Sequence, residues 1–151
     1  MENRTASAEM VAEANPPAGF LPIVSSSPFG WENGPIFERK DQSGWARGFR
    51  VLEKHTNNGG ICHGGMLMTF ADILLSRAVL EVLPSSFVTV RLVTDFVGPG
   101  VLGQWLEGTA EVSSVTDGIV SVKGKLVSPL GTVFTTSAIF KAVGRQRKTA
   151  S

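Results

Sequence analysis

From Gly65 to Leu83 the chain runs without a proline, and Pro84 then stops it. On a helix of roughly 3.6 residues per turn, its apolar residues point in almost every direction. They are Met66, Leu67, Met68, Phe70, Ala71, Ile73, Leu74, Leu75, Ala78 and Val79. A helix apolar nearly all round has to be buried. Everything after Pro84 has a different period. Phe87–Val97, Gln104–Val115, Gly118–Pro129 and Gly131–Val143 are rich in β-branched residues and largely alternating, as half-buried strands are. Gly98-Pro99-Gly100, Asp117-Gly118 and Pro129-Leu130-Gly131 punctuate them, and Asp-Gly is a strong hairpin signal. Two more strands are predicted before the helix, at Ile36–Lys40 and Trp45–Leu52, turning at Gln42-Ser43-Gly44. One buried helix must therefore serve at least six strands. The economical solution is an α+β fold in which a curved antiparallel sheet wraps that helix.

The same pattern sets the boundaries. Residues 1–19 are polar and alanine-rich and end in Pro16 and Pro17, which predicts a mobile N-terminal arm. Residues 20–144 form the folded domain, opening with an irregular or short helical lead-in that packs through Phe29 and Trp31. Residues 145–151 form a basic tail, read either as a solvated end or as a contact to a ligand phosphate. A formal charge of +1 gives no electrostatic reason to expect nucleic acid or an anionic membrane as partner. Asp72, Arg77 and Glu81 interrupt the apolar helix, which argues against a membrane span. Arg77 and Glu81 have the spacing of an i,i+4 pair. The first ten residues hold no apolar core of the signal-peptide kind. The single cysteine, Cys62, excludes an intrachain disulfide and fits a reducing, cytoplasmic location. With His55 and His63 it is the whole Cys and His content, too small a set for a closed zinc site. No metal is expected.

Asp72 is the anomaly in the helix. Gly65, Thr69, Asp72 and Ser76 share an arc of roughly 60°, a narrow polar stripe. No cation on the same helix is placed to pair with Asp72. A carboxylate in such surroundings is either tied to amides and hydroxyls or put to use. Upstream, His63-Gly64-Gly65 stands where the helix begins. The first helical turn offers unpaired N–H groups, and glycine leaves them open to a phosphate or a developing oxyanion.

The stretch HTNNGGICHGGMLMTFAD (His55–Asp72) resembles the hotdog-fold acyl-CoA thioesterases of the PaaI-like, phenylacetate-degradation group. The likeness extends from about Pro28 to Val143, through SPFGWENGPIFERKD and TVRLVTDFVGPGVLGQWLEGTAEV. It implies an HGG turn followed by a catalytic acid on the central helix, here Asp72, as nucleophile or general base. It implies that Asn57 helps to hold the thioester carbonyl and that the Gly64 amide contacts the oxyanion. Gly65 lies beside the bound substrate, and His63 chiefly shapes the turn. A hydroxyl orienting water is expected at Thr89, or at Ser76 one turn after the acid. Cys62 is read as packing. The resemblance further implies pairing of two subunits into one continuous sheet, with the acid of one facing the HGG turn of the other. A dimer or a dimer of dimers follows. Coenzyme A would enter as part of the substrate, with no separate cofactor.

The function so implied is hydrolysis of an acyl or aryl-acyl-CoA thioester. Two rivals stand beside it. A hotdog hydratase or dehydratase pairs a catalytic His with a carboxylate, and no His follows His63. A non-catalytic acyl-CoA-binding module with a DNA-binding segment would need a longer, more basic arm. The acyl group itself is not legible. Phe29, Trp31, Met68, Phe70 and Phe87 are candidates for its pocket and equally for the core.

Overall fold

The computed structural model describes residues 1–144, so the basic tail at 145–151 lies outside the described residues. Three α-helices precede and punctuate the strands: α1 (Ala8–Ala14), α2 (Pro28–Asn33) and α3 (Gly64–Val82). The strands are β1 (Leu21–Pro22), β2 (Phe37–Asp41), β3 (Gly44–Arg50), β4 (Phe87–Phe96), β5 (Trp105–Thr116), β6 (Ile119–Ser128) and β7 (Gly131–Ala142). They form one sheet in the order β1-β2-β3-β5-β6-β7-β4, antiparallel at every pairing. With α3 laid across its concave face, this is the hotdog arrangement the sequence led us to expect.

Helix α3 buries Met66, Leu67, Phe70, Ala71, Leu74, Leu75, Ala78 and Val79. That pairwise four-residue spacing is one continuous stripe, packed on Phe49, Leu106, Leu126, Val120 and Phe140 from the sheet. Contact is closest over the middle strands. A Cβ on Gly108 would lie 2.7 Å from Leu74 Cδ2, and one on Gly124 would lie 2.8 Å from the Thr109 carbonyl oxygen and 3.1 Å from Leu75 Cδ2. The two glycines let the helix sink into the sheet. The opposite flank of α3, carrying Thr69, Asp72, Ile73 and Ser76, is only half-buried. The hairpin between β5 and β6 turns on Asp117 (φ 51°) and Gly118 (φ 76°), both left-handed as a type I′ turn requires.

Two expectations need correction. In place of a mobile arm, residues 1–19 carry α1 and dock on the sheet. Ser7 caps the start of α1 and Asn15 ends it in a left-handed conformation. Arg50 then donates to the carbonyls of Ala14 and Asn15, while Ala14 and Phe20 are buried against Phe37 and Trp105. Phe29, expected to pack, is 64% exposed on α2. Of the other aromatic candidates, Phe70 is core against Phe49, and Phe87 sits edge-on to Phe140.

Candidate active site

Asp72 projects from the half-buried flank of α3 toward β4. Thr89 Oγ1 donates to Asp72 Oδ1 at 2.6 Å, the length of a hydroxyl–carboxylate bond. Thr89 sits at a break in register between β4 and β7, and such bulges re-aim side chains. So the strand hydroxyl and the helical acid meet. Ser76, one turn further along α3, lines the same cavity of about 290 Å³, together with Trp31, Ile36, Ile73 and Leu80. The cavity is chiefly apolar, with Asp72 set in its wall.

Arg47 also reaches this cavity. It follows from the alternation Trp45-x-Arg47-x-Phe49, which places a guanidinium on the inner face of β3 between two aromatics. Its Nε donates to Glu38 Oε2 at 2.8 Å and its Nη1 to the Ile73 carbonyl at 3.1 Å. Glu38 also accepts from Arg77 at 3.0 Å, and Arg77 completes the expected i,i+4 pair with Glu81 at 3.0 Å. Burial alone would raise the Glu38 carboxyl, but the two guanidiniums together hold it below the usual carboxylate range. Trp31 was one of the aromatic pocket candidates in the sequence and does line this cavity, whereas Arg47 was not singled out for the site by sequence reasoning. The charged residue at an inward position of β3 was the signal available for Arg47.

The HGG turn forms a second, separate feature. His63 is the N-cap of α3, and its Nδ1 accepts the Gly65 N–H at 2.8 Å. Gly65 thus has its amide engaged. The Gly64 N–H, first in the helix, has no partner among the described residues. The space beside it is open, since a Cβ added at Gly64 would meet Phe96 only at 3.8 Å. Asn57 is exposed and lines an open hollow with Thr56, Asn58, Ile61 and His63. Its Oδ1 accepts from Gly59 N at 2.9 Å. Asn57, His63 and Gly64 are therefore neighbours. Asp72 is not among them. Eight residues of helix separate it from Gly64, or ~12 Å along the axis.

His55 supports this turn from below. It is 3% exposed, its Nδ1 accepts from Leu52 N at 3.1 Å, and Nε2 lies 3.0 Å from the Asn33 carbonyl. These bonds require the neutral tautomer with its proton on Nε2. Burial, aided by Lys54, lowers its pKa below the ordinary 6.5. The unfolded chain takes up this proton at its ordinary pKa while the folded one resists it. The stabilisation is therefore whole above about pH 6.5 and is lost as pH falls through the lower, folded-state value. Thermal midpoints should decline over that window, and less steeply in His55→Gln, whose amide can serve the same two bonds.

Cys62 is buried, and burial pushes its thiol up to about 12. A thiolate is the reactive species, so the native protein should resist iodoacetamide at neutral pH and react fully only when unfolded. Mass spectrometry after timed alkylation checks this. Among the described residues no three His, Cys, Asp or Glu side chains gather as a metal site, and no helix is long and apolar enough to cross a membrane.

Known proteins resemble this chain in sequence and fold. Residues 59–134 match the model of the thioesterase superfamily. A Pseudomonas aeruginosa protein named "Putative esterase PA0474" is 37% identical over 129 residues, covering 83% of this chain and 96% of that protein. The PaaI protein of the E. coli phenylacetic acid degradation operon superposes with a TM-score of 0.67 at 22% identity, over 79% of this chain and 86% of its own. A hypothetical thioesterase protein of Streptococcus pneumoniae TIGR4, solved with coenzyme A, superposes at 0.61 with 20% identity, over 67% and 79%.

Proposed function

Because the chain belongs to the thioesterase superfamily, we propose that it is an acyl-CoA thioesterase, hydrolysing an acyl or aryl-acyl thioester to the free acid and CoA. The observation that carries this is the Asp72 carboxylate, fixed by the Thr89 hydroxyl at 2.6 Å in the wall of a largely apolar cavity. An acyl group fills such a cavity, and its carbonyl carbon comes to the carboxylate. The coenzyme A bound to the Streptococcus pneumoniae protein supports CoA as the leaving thiol.

In the reaction, an oxygen adds to the thioester carbonyl and the C–S bond breaks. Asp72 either takes the proton of an attacking water or attacks first, forming an anhydride that water then opens. In the first route Asp72 passes that proton to the departing CoA sulfur. In the second the CoA thiolate leaves as the anhydride forms and takes a proton from solvent, and the water that opens the anhydride restores the Asp72 carboxylate. Both give a thiol and a carboxylic acid. Thr89 holds the carboxylate, and Ser76 stands one turn away on the same wall. The carbonyl oxygen, as it gains charge, is met by the Gly64 N–H at the helix start, and Asn57 steadies it. A fixed donor aimed at such an oxygen lowers the barrier by ~3–4 kcal/mol.

Within one chain Asp72 is too far from Gly64 for both to touch one carbonyl. A second copy resolves this if the sheets join along β4. That strand is the sheet's edge, and it exposes Val88, Val90, Val93 and Phe96, an unguarded template for strand pairing. The active unit is then a dimer with two composite sites, alone or within a dimer of dimers. Sedimentation velocity should show no monomer at assay concentrations, and a fully active monomer would contradict the composite site. The reading as a whole is tested by free-thiol release from a panel of aryl-acetyl, benzoyl and fatty acyl-CoA thioesters. Hydrolysis of none of them would overturn it.

A further inference from the structure

The cavity beside Asp72 has an end. Asp72, Ser76 and Leu80 lie one turn apart on α3, so the cavity follows the helix for ~12 Å from the carboxylate to Leu80. Beyond Leu80 lies a second, open groove of about 620 Å³, bordered by Leu21, Pro22, Lys40 and Arg77. Ile23, Val24, Arg47 and Leu80 line both spaces. They are the partition between them.

The four residues differ in how firmly they stand. Arg47 is held by Glu38 and by the Ile73 carbonyl. Ile23 is held by its backbone, which donates to the Ile36 carbonyl at 3.0 Å, and its side chain packs on the main core. Val24 and Leu80 are otherwise unsupported, 66% and 58% exposed, and Leu21 on the groove side is 71% exposed. Two apolar side chains facing solvent between an apolar cavity and a groove lined by Leu21 and Pro22 beside Glu38, Lys40 and Arg77 are positioned as a wall rather than as core.

Resting on the acyl-CoA reading above, we propose that Leu80 and Val24 are the chain-length determinants of this protein. They close the cavity at a compact acyl group, a single ring or a short chain. Removing them joins the cavity to the groove and admits long alkyl chains. The selectivity follows from volume: a chain that outgrows about 290 Å³ must displace the wall or leave methylenes in water. Each methylene gained or lost in an apolar pocket changes discrimination by about 10-fold or more.

Binding separates this proposal from the hydrolysis reading. S-alkyl-CoA thioethers, which cannot be hydrolysed, are titrated from butyl to hexadecyl by calorimetry into the wild type, Leu80→Ala and Val24→Ala/Leu80→Ala. Both side chains are exposed, so the variants keep the fold. Wild-type affinity should peak at a short alkyl group and fall beyond it. The hexadecyl-to-butyl affinity ratio should rise at least about 10-fold in Leu80→Ala and further in the double variant. An unchanged profile in both variants overturns the proposal, as does equal wild-type affinity across the series or no binding of any member. If the thioethers bind with the expected profile while no acyl-CoA is hydrolysed, the wall stands and the hydrolase reading falls.

Discussion

Asp72→Asn should leave a folded protein whose turnover of acyl-CoA has dropped by about 10²-fold or more, with thioester binding largely kept. The substitution is close to isosteric. The Asn carbonyl oxygen can still accept from Thr89 Oγ1, so the 2.6 Å bond that anchors the side chain has a replacement, and the half-buried position leaves the amide NH₂ room to find water. What is lost is the charge and the lone pair that takes a proton or attacks carbon. A purely structural carboxylate gives a different pattern. Losing it would lower thermal stability and activity together, or leave both alone. Free-thiol release measured beside a melting curve distinguishes these outcomes. A folded Asp72→Asn protein that hydrolyses acyl-CoA at the wild-type rate would remove Asp72 from the chemistry.

Those features of the fold that depend on local periodicity were legible in the chain. Helix α3 shows itself by apolar residues ended by Pro84, strands β5 to β7 by alternation, and the β5–β6 turn by Asp117-Gly118. Each is settled within a few residues. Long-range features were hidden. Strand β1 is two residues long and contains Pro22, so no period marks it, and it exists because β2 lies alongside. The docking of α1 depends on Arg50, Phe37 and Trp105, which are distant in sequence and give a polar helix something to cover. The site divides in the same way. Asp72 was visible as a charge in an apolar helix, and the HGG turn as an open helix start. The meeting of Asp72 with Thr89 came from the family resemblance and not from spacing, because nothing local brings β4 over α3. Of the cavity wall only Trp31 stood out as a pocket candidate, because Trp31, Arg47 and Leu80 come from three separate elements. Only folding makes them neighbours.

Gly64→Pro is the sharper test of the oxyanion site, since it deletes one N–H and little else. Gly64 is the first residue of α3, where proline is well tolerated because that N–H bonds to nothing in the helix. The preceding residue must be extended to accept a proline, and His63 already is, at φ −61° and ψ 138°. Space is available too, with Phe96 3.8 Å from the first added carbon. The helix should therefore survive, with far-UV circular dichroism unchanged, while turnover falls about 10²- to 10³-fold for the missing donor. Combining this variant with Asp72→Asn then addresses the composite site. If each site takes its acid from one chain and its Gly64 amide from the other, a mixed dimer of the two variants contains one site with both groups intact. The second site carries both defects. Mixed dimers, isolated after co-expression with two different tags, should regain about half the wild-type rate per dimer, although neither parent homodimer exceeds a few hundredths of it. Were the two groups to serve one site within a single chain, every site in the mixed dimer would carry one defect and no activity would return. Recovery on mixing thus reports directly on which chains the acid and the amide come from, given the ~12 Å of helix that separates Asp72 from Gly64 within one chain.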